Sequence, residues 1–320
     1  MLEVVGVFVV ATALARLASR GLGLGPANLR AIEPSATPDF VALSMSAAAN
    51  LFLRYGFILA LAFAVGWWHR RRRLADYGVA TGYRSVAHLA GIGVLAFAAA
   101  GFLPVLLRLL ADHLPLGRGP HHWALISSLD TPGIWLYLFV GSFGLVPIAE
   151  ELFTRGYIQS RLTEDFGPAA AILITAIFFA FSHSQYFIAS PIGAGMLVSL
   201  LISAIVTGYV RYRTGSLLPA IVAHVLGNLP FRGWGRPAVL VLMLVVVALW
   251  AQPIGRYAIQ LWRDVITPRA LSSAVVGWIV VAFLVAQAFI APALLPVTGA
   301  IALVAALLLE SAEKRARAGK

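Results

Sequence analysis

Apolar residues run along this chain in long, nearly unbroken stretches parted by short polar segments. A helix needs about 20 mostly apolar residues to cross a bilayer. Candidate stretches lie at roughly 2–18, 41–68, 85–110, 132–160, 168–187, 192–211, 216–231, 237–252, 273–295 and 298–312; the first, seventh and last are short for that length. No stretch alternates as barrel strands do, and no repeat or low-complexity tract breaks the series. The pattern predicts an all-α, polytopic transmembrane helical bundle of about eight to ten membrane helices. Residues 2–18 have no basic lead and no small-residue cleavage site, so they read as a retained helix rather than a removed signal.

The polar segments give the bundle an orientation. "HRRRRLADYG" follows the second span, and Arg and Lys favour the cytoplasmic side. With that loop inside, 16 of the 24 basic residues fall in inside segments and both termini are cytoplasmic. Composition agrees with the pattern: the chain is 60% hydrophobic and 12% charged, with mean hydropathy +0.88, against about 25% charged in soluble domains. The net charge of +11 is scattered through loops, which points to membrane lipid rather than nucleic acid as the partner. There is no cysteine, so no disulfide, thiolate nucleophile or thiolate metal site exists. Arg and Ala richness suggests a bacterial inner-membrane protein.

Three polar clusters interrupt the apolar spans: Glu150, Glu151 and Arg155; His183 in "FFAFSHSQY"; and His224 with Asn228 in "PAIVAHVLGNLP". Each ionisable group in a bilayer costs at least about 2.5–3.5 kcal/mol on insertion scales. Residues four apart share a helix face, so Glu151 can pair with Arg155 while Glu150, about 100° round, points elsewhere. Phe179 shares a face with His183, and His224 with Asn228. At the helical rise, Glu150 lies roughly 16 Å from Arg161, His224 roughly 12 Å and Asn228 roughly 18 Å from Ser216, and His183 roughly 22 Å from Pro168. In a core of about 30 Å they can meet near mid-depth. Pro147, one turn before Glu150, is placed to kink that helix.

Several chemistries fit those parts. A carboxylate and a neutral histidine can share a water and take its proton as it attacks a carbonyl, while a second histidine and an amide stabilise the oxyanion. A glutamate and two histidines can also hold a divalent metal such as zinc around an open position, which would make Glu150, His183 and His224 the ligands. The plainer alternative is structural bonding throughout, and a proton-relay transporter is a third. Transporters of that kind carry inverted repeats or paired broken helices, and neither is present. H-E-x-x-H and G-x-S-x-G are absent, and no span contains an Asp. Ser142 reads as a small packing residue.

"EELFTR", "FAFSH" and "HVLGN" have the forms E-E-x-x-x-R, F-x-x-x-H and H-x-x-x-N. In that order they resemble the CPBP family of intramembrane proteases, also called the type II CAAX prenyl endopeptidase or Abi family. The resemblance covers roughly residues 130–231. It implies a glutamate-type endopeptidase acting on a membrane-associated or prenylated peptide, in which Glu150 and His183 activate water and His224 and Asn228 form the oxyanion site. Glu151 and Arg155 would then hold the geometry, with Phe179 in support; this mechanism requires no cofactor, and a divalent metal such as zinc is the open alternative. Eukaryotic members remove the last three residues of prenylated CAAX proteins; bacterial relatives include immunity and scaffolding proteins, so a non-catalytic scaffold is the alternative reading. The chain divides into N-terminal transmembrane helices (1–129), the CPBP-like core (130–231) and a C-terminal transmembrane extension with a basic tail (232–320).

Other polar residues point less sharply. His113, His121 and His122 read as loop residues, Asn50 and Arg54 as interhelical bonding or the cavity mouth, and Gly195 with Ser199 as a helix contact.

Overall fold

A computed structural model describes residues 1–24, 40–70, 72–79, 84–111, 113–116, 137–229 and 235–275, with Val297, Val304 and Leu308. His121 and His122 lie outside that set, as does nearly all of the spans expected at 273–295 and 298–312. Among the described residues every regular element is helical. The order is α1 (Leu2–Gly21), α2 (Phe40–Arg70), a 3₁₀ turn (Leu74–Tyr77), α3 (Val86–Ala100) and α4 (Phe102–Ala111). A π-helix (Tyr137–Leu145), α5 (Val146–Glu151), a second π-helix (Leu152–Ile158) and α6 (Gln159–Ser182) follow, then α7 (Pro191–Thr214), α8 (Leu218–Asn228), α9 (Gly235–Leu249) and α10 (Ala251–Val265).

Four of these stretches are long and apolar enough to cross a bilayer, or six if each bent pair makes one span. Two of the ten candidate spans lie almost wholly outside the described residues, so the count concerns the other eight. A first correction is Leu218–Asn228, shorter than the span expected at 216–231. Its 11 residues rise only about 16 Å, about half of a hydrocarbon core of about 30 Å, and His224 and Asn228 occupy its last turns. A second correction concerns residues 253–265, expected as loop. They form α10, bent 83° from α9.

The bends have local causes. Between α3 and α4 the axis turns 44°, because Pro104 has no N–H for the carbonyl of Ala100. The hydroxyl of Ser203 on α7 donates to that carbonyl instead, at 3.2 Å. No comparable break occurs at Pro147, which sits where π-helix passes into α5. The helix carrying Glu150 does not stop at residue 160 but continues to Phe166, supported by the i,i+4 pair of Arg161 with Asp165 at 2.6 Å. The chain then turns at Gly167 (φ 78°, ψ 166°), a conformation that a Cβ would forbid. Pro168 opens the next helix, where its missing N–H is no loss. Measured from this corner, Glu150 and His183 are both roughly 23–26 Å along their helices, which brings the apparently deeper His183 level with Glu150.

One end of the bundle collects the charges. The Met1 amino group lies 3.4 Å from Asp165, and Arg72 pairs with Glu164. Glu3, 2% exposed, accepts from Tyr157 at 2.8 Å and from Arg161 at 3.3 Å, with His69 at 3.5 Å. These bonds tie the start of α1 and the end of α2 to the Gly167 corner. At the same end the Leu217 N–H donates to the carbonyl of Gly78 at 2.8 Å, fixing where α8 begins. Gly93 of α3 then lets α8 come close: a Cβ there would stand 2.6 Å from the Pro219 carbonyl oxygen.

Candidate active site

Four elements meet around Glu150. It stands near the end of α5, His183 terminates α6, His224 projects from α8, and Tyr55 approaches from α2. The Glu150 Oε2 lies 3.8 Å from His183 Nε2 and 3.7 Å from His224 Nε2, while the Tyr55 hydroxyl donates to Oε1. Oε2 is buried and has no hydrogen-bond partner among the described residues.

The outer nitrogens fix the rings. His183 Nδ1 is 2.7 Å from the Phe179 carbonyl, which only accepts, so Nδ1 carries the proton. His224 Nδ1 is 2.9 Å from Glu151 Oε1, itself 3.0 Å from Arg155 Nη1, so this nitrogen also donates. In a neutral ring the His183 Nε2 therefore presents a lone pair toward Oε2, and two facing acceptors with no donor between them are the environment that holds a water.

Burial separates the working groups from their supports. Glu150, His183 and His224 are 16%, 16% and 12% exposed, whereas Glu151 and Arg155 are 1% and 2%. The sealed Arg155 also donates to Thr154 at 2.8 Å and Thr207 at 3.0 Å, and its guanidinium sits 4.3 Å from the Phe179 ring centre. Phe179 in turn packs edge-on against His224, with centroids 5.7 Å apart, and 4.6 Å from the His183 ring. The π-turns just after Glu151 belong to a helix form frequent at functional sites.

The structure thus brings together Glu150, Glu151, Arg155, Phe179, His183 and His224, and Asn228 follows His224 by one turn of α8. Asn50 donates to the Ser46 carbonyl at 3.0 Å within α2. The Gly195–Ser199 pair is a helix contact, since a Cβ on Gly195 would meet Leu107 of α4 at 2.8 Å. Two site residues escaped the sequence reading. Tyr55 looks like an ordinary aromatic in an apolar span, and its only signal is its polar neighbour Arg54. Thr207 belongs to a stripe of three hydroxyl residues spaced four apart, Ser199, Ser203 and Thr207, that marks a polar seam on α7.

Among the described residues no group of three His, Asp or Glu side chains is gathered to hold a metal ion. In the trio named as ligands should a metal be bound, Glu150 Oε2 stands 3.7 Å from His224 Nε2 and 3.8 Å from His183 Nε2.

Residues 132–230 match the family model described as type II CAAX prenyl endopeptidase Rce1-like. No curated protein and no solved structure matches the chain.

Proposed function

We propose that this chain is an intramembrane protease of the CPBP (type II CAAX prenyl endopeptidase) family, a reading supported by the match of residues 132–230, and that it hydrolyses a peptide bond of a membrane-associated substrate at Glu150. The observation that carries this is the buried, unpartnered Glu150 Oε2 facing the Nε2 atoms of His183 and His224. A water held there donates one O–H to Glu150 and the other to His183. As its oxygen attacks the carbonyl carbon, Glu150 takes the first proton. His224, held between the Glu150 and Glu151 carboxylates, serves as an imidazolium donor from Nε2, and together with the Asn228 amide it meets the negative charge on the carbonyl oxygen. Glu150 then passes its proton to the departing nitrogen, the C–N bond breaks, and an acid and an amine leave. Glu151, anchored by Arg155, keeps His224 in register, and Tyr55 fixes the Glu150 carboxylate. No step runs through a metal. The end of the bundle bearing Arg72, Arg161 and Arg211 belongs at the cytoplasmic side.

The test is Glu150→Gln against wild type in liposomes, on prenylated and unprenylated quenched peptides. Wild type is expected to cleave, and the variant to lose about 100-fold or more while staying folded. Equal cleavage by both proteins would remove Glu150 from the mechanism.

A further inference from the structure

We propose that the cavity between α6, α7 and α10 binds the headgroup of a phospholipid carrying a primary amine, with Asp264 taking the ammonium and Arg213 the phosphate. The site stands apart from Glu150, and the inference does not rest on hydrolysis there. Ile172, on the cavity wall, lies 11 positions before His183 on α6, roughly 16 Å along the helix.

α10 places this cavity at the depth of lipid headgroups. It leaves the apolar α9 at 83°, so it runs along a bilayer that α9 enters. Tyr257, Leu261 and Val265, four apart, share one face and pack in one cluster with Ile172, Leu173 and Tyr209. Arg256, Gln260 and Arg263 are exposed, as are Trp250 and Trp262. An apolar face backed by basic residues, with tryptophan alongside, is the pattern of an interfacial helix. The other walls agree with that depth. Pro168 and Ala169 follow the Gly167 corner, and Tyr212 and Arg213 stand in the last turn of α7, at the end of the bundle where the charges collect.

The cavity measures about 200 Å³. Ala169, Ile172 and Val265 give it an apolar wall, Tyr209 and Tyr212 an aromatic one, and Asp264 a charge. The Tyr209 hydroxyl donates to Asp264 Oδ2 at 2.6 Å and accepts from Arg213 Nη1 at 2.8 Å. Nη1 also donates to Gln260 Oε1 at 3.2 Å, and stands 3.7 Å from Asp264 Oδ2, too far for a hydrogen bond. The Arg213 guanidinium is fixed 5.7 Å from the Tyr209 ring centre and 5.9 Å from that of Tyr257. Among the described residues, Asp264 Oδ1 and Arg213 Nε and Nη2 have no hydrogen-bond partner. An acceptor and a two-donor edge are thus left close together, each held by the bonds its other atoms make.

A primary ammonium donates to a carboxylate oxygen, and a guanidinium edge grips two phosphate oxygens. A headgroup that joins phosphate to amine through two carbons carries both charges at once. An anionic headgroup without an amine brings only negative charge toward Asp264, and a quaternary amine has no N–H to donate. Phosphatidylethanolamine is therefore the class that fits.

Full-length protein in detergent is titrated with phosphatidylethanolamine, phosphatidylcholine and phosphatidylglycerol of the same acyl chains. The Kd of the first bound lipid is read by native mass spectrometry. With a net charge of +11, charge alone favours phosphatidylglycerol, so a preference for the amine discriminates. Wild type should bind phosphatidylethanolamine about tenfold tighter than either other lipid, the factor expected of one charge-assisted bond. Phosphatidylglycerol bound equally well or better overturns the proposal, as does phosphatidylcholine bound equally well. This comparison needs no variant. Asp264→Asn, at an exposed position, should erase the preference while leaving phosphatidylcholine binding unchanged, and Arg213→Gln should weaken all three lipids. A preference that survives Asp264→Asn places the site elsewhere and overturns the assignment. So does an equal weakening by Arg263→Gln, which would reduce the effect to diffuse charge on α10. Glycerophosphoethanolamine carries the same two charges without acyl chains and should fail to displace the lipid even in large excess. Displacement at equal concentration would make the ligand a soluble phosphoamine and overturn the lipid assignment.

Discussion

Replacing Arg155 with Met should unfold this protein far more readily than a surface change would. The guanidinium is 2% exposed and faces Glu151, which is 1% exposed, across 3.0 Å. Deleting one partner of such a pair strands the other charge in a low dielectric, at a cost of about 3–5 kcal/mol. Two hydroxyl partners, Thr154 and Thr207, also lose their donor, and the contact with the Phe179 ring disappears. These losses overlap and do not sum. A double-mutant cycle with Glu151→Gln isolates the charge contribution. In that variant the new amide oxygen still accepts from His224 Nδ1, so only the carboxylate charge is removed. The double variant should therefore recover at least about 2 kcal/mol over the sum of the single losses. The assay is reversible unfolding in mixed micelles, followed by helical circular dichroism. A single-variant loss under about 1 kcal/mol, or strictly additive losses, would refute the claim that a sealed ion pair braces His224.

Three further outcomes follow from the same geometry. Gly93→Ala would place a methyl 2.6 Å from the Pro219 carbonyl oxygen and 2.8 Å from Val222 Cβ. It should push α8 outward and lower kcat with a destabilisation of about 1–3 kcal/mol; full activity would show that α8 tolerates displacement. Tyr55→Phe removes the donor to Glu150 Oε1, and should lower kcat about tenfold, the worth of one hydrogen bond to a charged group, leaving thermal stability nearly unchanged; an unaltered kcat would remove Tyr55 from the site. Incubation with a metal chelator should leave peptide hydrolysis intact, and a loss restored by added zinc would overturn the metal-free mechanism.

Much of this arrangement was already written along the chain. The lengths of the apolar runs fix a helical membrane protein, because an unpaired backbone is excluded from lipid. The spacing of Glu151 and Arg155 fixes their pairing, because four residues along a helix return to the same face. Gly167 next to Pro168 contains the turn between two helices, although the charged stretch before it concealed how far the first one runs. Relations between helices are different. That Glu151 grips His224, that Tyr55 reaches Glu150, that Thr207 caps Arg155 and that buried Glu3 ties α1 to Tyr157 and Arg161 all depend on how each helix is rotated and shifted against its neighbours. The point where α8 begins depends on the tether between Leu217 and Gly78, 139 positions apart in the chain. Local spacing carries no information about rotation or shift, which packing sets through close contacts such as Gly93 against Pro219. The residue types of the site are therefore a property of the sequence, and their convergence on one carboxylate oxygen is a property of the fold.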